Sequence, residues 1–143
     1  MCLADPRGRN PGRPVPFVDV KQVTVIAVGG ALGSLARYAV ALAFGSWDAA
    51  QLPWATLTVN LVGCLAIGAV AAIALAGHGP WWVRPFIVTG ILGGFTTFSA
   101  LALETGLLLD AGRTLVAIAY VAATMVFGLL AVRAGTMIVR TAR

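Results

Sequence analysis

Four apolar stretches dominate this chain, at roughly residues 23–45, 53–76, 83–109 and 114–135. Each is close to the ~20 residues needed to cross about 30 Å of hydrocarbon. Their dividers are short: GSWDAAQLP, GHGPWWVRP and DAGR. None of the four carries a polar face along its length, which a helix of a soluble bundle needs on its outer side. Only 10% of the residues are charged, against roughly 25% in a soluble domain, so polar material to coat a water-facing surface is lacking. Ala41-Leu42-Ala43 mimics a signal-peptide cleavage site, but Arg37 interrupts that apolar run and a long polar tail precedes it. The predicted fold class is an all-α membrane protein with four transmembrane helices.

The boundaries follow from the same pattern. Residues 1–22, rich in Arg, Pro and Gly, are expected to form a disordered tail. Residues 23–135 make up the four-helix transmembrane domain, and 136–143 a short basic C-terminal tail. An even number of spans puts both termini on one side. That side collects Arg7, Arg9, Arg13, Lys21, Arg84, Arg133, Arg140 and Arg143, while the other has Arg113 beside Asp48 and Asp110. The excess of basic residues predicts cytoplasmic termini in a multi-pass plasma-membrane protein with one fixed orientation.

Other classes find little support. The net charge of +5 resides in tails and loops rather than on an aromatic-laced face, which suits anionic lipid head groups and argues against nucleic acid. Cys2 and Cys64 are far apart and read as free thiols, and the lone His78 lies in a Gly/Pro connection, so neither a disulfide framework nor a zinc site is expected. No phosphate-binding loop or catalytic constellation is present, and the chain is not read as an enzyme.

Polar groups inside hydrocarbon are costly and therefore informative. In the first span, GGALGSLARY places Gly29 and Gly33 at small-xxx-small spacing, a pattern for close helix packing. Arg37, one turn further on, either snorkels to an interface or lines an electropositive vestibule. In the second span Thr56 and Asn60 lie one turn apart on one face. There they serve as interhelical bonds or as donors along a pore. In the fourth, Tyr120, Thr124 and Gly128 share a stripe, either packing or a polar track. The third span reads ILGGFTTFSALALE from Ile91 to Glu104. Gly93, Gly94, Thr96, Thr97 and Ser99 are poor helix formers in this setting. Either the hydroxyls bond back to the preceding turn of an intact helix, or the helix is broken where protein or a polar cavity shelters the backbone. Glu104 is expected near the membrane boundary.

GGALGSLARY, PWATLTVNLVGCLAIG and GILGGFTTFSALALE, in this order on short helices, resemble the Fluc (CrcB) fluoride channel family. The resemblance covers about residues 23–135. It implies a third helix broken near its middle and an antiparallel dimer with two fluoride pores. It also implies a structural Na⁺ at the dimer centre, held by backbone carbonyls of Gly93 and Thr96. By the same resemblance Thr56, Asn60, Phe98, Ser99, Tyr120 and Thr124 line the pore, and Arg37 and Glu104 are the charged positions of the first and third helices. Fluoride is small and strongly hydrated, so hydroxyls, amides and the positive edge of the Phe98 ring are suitable replacements for its water.

The chain departs from the family pattern TTFSTF. It reads TTFSAL, with Ala100 for a hydroxyl and Leu101 for a second ring, and Gly128 stands where serine is common. These losses, with the strong charge bias, suggest a dimer with a paralogous subunit of opposite orientation. The alternative is a small proton-coupled multidrug-type exporter, also a four-helix dimer. Such a protein expects a carboxylate in its first span, where this chain has Arg37.

Overall fold

The computed structural model describes residues 19–74 and 80–142. The tail before Asp19, the connection containing His78, and Arg143 lie outside the described residues. Helix α1 spans Val20–Phe44 and α2 spans Trp54–Ala74; a π-helical segment, Arg84–Leu92, runs into a single turn, α3, at Gly93–Phe95; α4 spans Phe98–Asp110 and α5 spans Thr114–Thr141. Four spans, Val20–Phe44, Trp54–Ile73, Arg84–Asp110 and Thr114–Thr141, are long and apolar enough to cross a membrane. The third contains the break, at Thr96 and Thr97.

Two boundaries differ from the sequence reading. Helix α1 starts at Val20 because Asp19 caps it, its carboxylate accepting the Lys21 N–H at 3.0 Å. Residues 20–22 are thus helix, not tail. Helix α5 continues to Thr141, so residues 136–141 are helical rather than a tail. The drop in hydropathy there marks the end of the apolar run, not the end of the helix. Thr136 Oγ1 anchors this extension by donating to the carbonyls of Val132, at 2.9 Å, and Gly68, at 3.3 Å.

Lipid tails are as apolar as leucine, so helices in a bilayer associate through close packing rather than hydrophobic burial. The glycines serve this need. A Cβ on Gly29 would strike the Phe86 carbonyl oxygen, and one on Gly33 the Ile91 carbonyl oxygen. Gly90 and Gly94 meet the α1 backbone in the same way, so α1 and the first half of the third span touch main chain to main chain. Gly68 against Val132, and Gly135 against Leu65, do the same for α2 and α5. A small apolar core of Leu57, Leu101, Leu108, Ala117 and Tyr120 joins α2, α4 and α5. Large apolar side chains such as Leu115, Leu103 and Leu129 point outward, as a lipid-facing surface requires. At the end opposite Val20 and Thr141, Arg113 Nη1 donates to the Ala49 carbonyl at 3.0 Å and ties two loops together.

Candidate functional site

The site is built around the interrupted helix. The approach to the break is already loose: the Gly93 N–H reaches back to the carbonyls of Val88 and Gly90, a widened winding typical of functional positions. The Leu92 carbonyl then accepts both the Thr96 N–H, at 3.0 Å, and the Thr96 hydroxyl, at 2.9 Å. Thr96 (ψ 155) and Thr97 (ψ 121) are extended, and the helical ladder stops. Of the two sequence readings of this stretch, the broken helix is the observed one. Thr96 does bond back to its preceding turn, but that bond ends a helix instead of continuing one.

Asn60 holds the break. Its Oδ1 accepts the Thr97 N–H at 2.9 Å, and its Nδ2 donates to the Thr97 carbonyl at 3.1 Å. Thr97 caps α4 by accepting the Ala100 N–H at 3.2 Å on Oγ1, which also pairs with Ser99 Oγ at 3.1 Å. In a continuous helix the Thr97 N–H would serve the Gly93 carbonyl and the Ala100 N–H the Thr96 carbonyl. Both donors are engaged by side chains instead. Gly63 makes room for the Thr96 methyl, which a Cβ there would overlap.

Two cavities meet at Thr97. The larger, about 430 Å³, is bordered by Asn60, Cys64, Thr97, Phe98, Thr124 and Gly128 among mostly apolar neighbours. The second, about 360 Å³, gathers Ser34, Arg37, Thr56, Thr97, Ala100 and Glu104 between α1, α2 and α4. Glu104 lies at the middle of α4. Its carboxylate accepts the Thr56 hydroxyl at 2.7 Å and the Tyr120 hydroxyl at 2.6 Å, binding three helices together. The apolar packing of Leu101 and Leu108 on α5 carries it inward. Every buried side-chain nitrogen and oxygen among the described residues has a hydrogen-bond partner.

The ten residues singled out in the sequence are thus distributed unevenly. Asn60, Thr96, Phe98 and Thr124 border the larger cavity; Arg37, Thr56 and Glu104 border the smaller. Tyr120 is fully buried beneath Glu104 and borders neither, Ser99 is exposed beside the Thr97 hydroxyl, and Gly93 is exposed at the break. Phe98 is 75% exposed in the single chain. Thr124 Oγ1 donates back to the Tyr120 carbonyl at 2.8 Å, a packing bond within its helix. Thr97, central to both cavities, was given no site role from sequence. A threonine directly before a new helix is a capping signal, the one local cue that could have found it.

A family model described as "CrcB-like protein, Camphor Resistance (CrcB)" matches residues 24–136. The chain is 39% identical over 127 residues to the fluoride-specific ion channel FluC of Rhodospirillum centenum, covering 86% of this chain and 98% of that protein. It is 48% identical over 115 residues to FluC of Paracoccus denitrificans, covering 80% and 91%. With FluC 2 of Nocardia farcinica it shares 39% identity over 127 residues, covering 85% and 87%. A match across all four membrane spans, including the broken third, places this chain in the CrcB family of membrane proteins.

Proposed function

We propose that this chain is a subunit of a fluoride-specific channel, lowering cytoplasmic fluoride by passive efflux through pores of an antiparallel dimer in the plasma membrane. The observation that carries this reading is the membrane-embedded break. It brings Asn60, Thr97, Phe98 and Thr124 to one cavity, and Thr97 also borders a second that holds Arg37 and Glu104. A strongly hydrated anion needs donors in series, and these groups supply a cation at Arg37, the second amide N–H of Asn60 and the ring edge of Phe98. The start of α4 adds first-turn N–H groups and the positive end of a helix dipole. Names of the relatives agree with this reading.

In this reading both termini are cytoplasmic, because Lys21, Arg84 and Arg140 share one end of the bundle and Asp48 and Asp110 the other. The carbonyls of Gly93 and Thr96, with their helical donors engaged elsewhere, fit a hard monovalent cation completed by a second subunit. These two carbonyls would hold the ion, and a sodium ion there would supply a fixed positive charge. Ala100, Leu101 and Gly128 leave one pore-lining surface short of donors, which favours a paralogous partner of opposite orientation. The numbered name FluC 2 of the Nocardia relative is in keeping with paired chains.

The test is passive efflux from liposomes containing this chain, alone and with a candidate partner. Fluoride is expected to leave and chloride to stay, and collapsing the proton gradient is expected to change nothing. Equal passage of chloride defeats the channel reading, dependence on the proton gradient favours an exporter, and robust efflux from the chain alone removes the need for a paralogue.

A further inference from the structure

We propose that Asn60 and Thr97 are the positioning residues of the cation site, each withholding one main-chain donor so that the carbonyls of Gly93 and Thr96 remain available. The proposal rests on the sodium reading above. A carbonyl already engaged by an amide N–H is a poor cation ligand, so a break alone is insufficient. The donors it releases must be engaged elsewhere, or they will return. The Thr97 N–H is held by Asn60 Oδ1 and the Ala100 N–H by Thr97 Oγ1.

The grip has little freedom. Asn60 bonds the Thr97 residue on both its N–H and its carbonyl, and both residues are buried. Thr96 between them is fixed at each end, its N–H and hydroxyl on Leu92 and its methyl against Gly63. Asn60 therefore has its acceptor and one of its two donor hydrogens committed to the backbone. It remains able to offer an ion one N–H only. The residue read from sequence as pore donor or interhelical bond has a third role, in preparing a neighbouring site.

The experiment titrates sodium, at constant ionic strength against a large organic cation, into the purified dimer and reads thermal stability and dimer fraction. Binding to the folded dimer alone makes both depend on sodium. Asn60→Leu and Thr97→Val are expected to raise the sodium midpoint about 10–100-fold, as loss of an outer-shell partner does at other metal sites. Thr97→Ser keeps the hydroxyl that engages the Ala100 N–H, so it is expected to hold the wild-type midpoint. Wild-type midpoints in Asn60→Leu and Thr97→Val overturn the proposal while leaving the sodium reading intact. A wild-type protein indifferent to sodium overturns both. If Asn60→Leu does not accumulate, the near-isosteric Thr97→Val, compared with Thr97→Ser, decides.

Discussion

The two halves of the third span are held by opposite means. The first, from Arg84 to Phe95, lies against α1 through Gly29, Gly33, Gly90 and Gly94, with backbone touching backbone. The second, α4, is held by side chains: Glu104 takes hydroxyls from α2 and α5, and Leu101 and Leu108 enter the apolar core. One half is fixed by shape and tolerates no added atom at Gly90 or Gly94. The other is fixed by chemistry and tolerates no lost donor. Asn60 and Thr97 stand between them, where neither means alone would hold an extended backbone inside a membrane.

The sharpest way to break this contrast is Gly33→Ala. Its Cβ would overlap the Ile91 carbonyl oxygen, so the backbone must move, at an expected cost of about 3 kcal/mol. Thermal unfolding in detergent measures it, and a cost near zero would show that the first half is not fixed by shape. Tyr120→Phe probes the other half by removing one donor to a carboxylate. About 2 kcal/mol is expected, since hydrogen bonds to charged groups contribute roughly 1.5–3 kcal/mol. The same unfolding experiment, repeated with Glu104→Gln and the double variant, checks that the two changes are not additive.

Leu101→Phe restores the ring usual in the family but enlarges a side chain only 3% exposed. Overpacking predicts a loss of about 1–2 kcal/mol in this chain alone, and a neutral result would mean that the larger cavity absorbs the ring. The smallest effect belongs to Gly30→Ala. Nothing lies within 4 Å of a Cβ there, so helix propensity predicts a gain of at most about 1 kcal/mol. Opposite signs at Gly30 and Gly33, three residues apart on α1, would separate the cost of a backbone clash from the gain in helix propensity.

Much of this was legible in advance. Length and hydropathy gave the four spans, because a bilayer admits few alternatives to a helix of the right length. Gly29 and Gly33 could be read as a packing face because glycine in hydrocarbon has few other uses. The weak helix formers from Gly93 to Ser99 marked the one place where a break could occur. What the residues alone left open was the choice between back-bonded helix and broken helix, since both use the same hydroxyls locally; only the family resemblance implied the break. That choice depends on a carboxamide 37 residues away in sequence, Asn60, reaching the Thr97 backbone.

Glu104 shows the same limit. Counting turns from Ser99 suggests a depth near the membrane boundary but not which groups the carboxylate meets; Leu101 and Leu108 dock α4 on α5 and set it between Thr56 and Tyr120. The boundaries at Val20 and Thr141 escaped for a simpler reason: hydropathy reports where the hydrocarbon ends, and helical hydrogen bonding does not end there. The sequence by itself determined that this chain spans a membrane four times and that its polar residues lie where they are expensive. Only the tertiary structure decided which of those residues meet, because a buried polar group takes its role from the partner that satisfies it, and here the partners come from different helices.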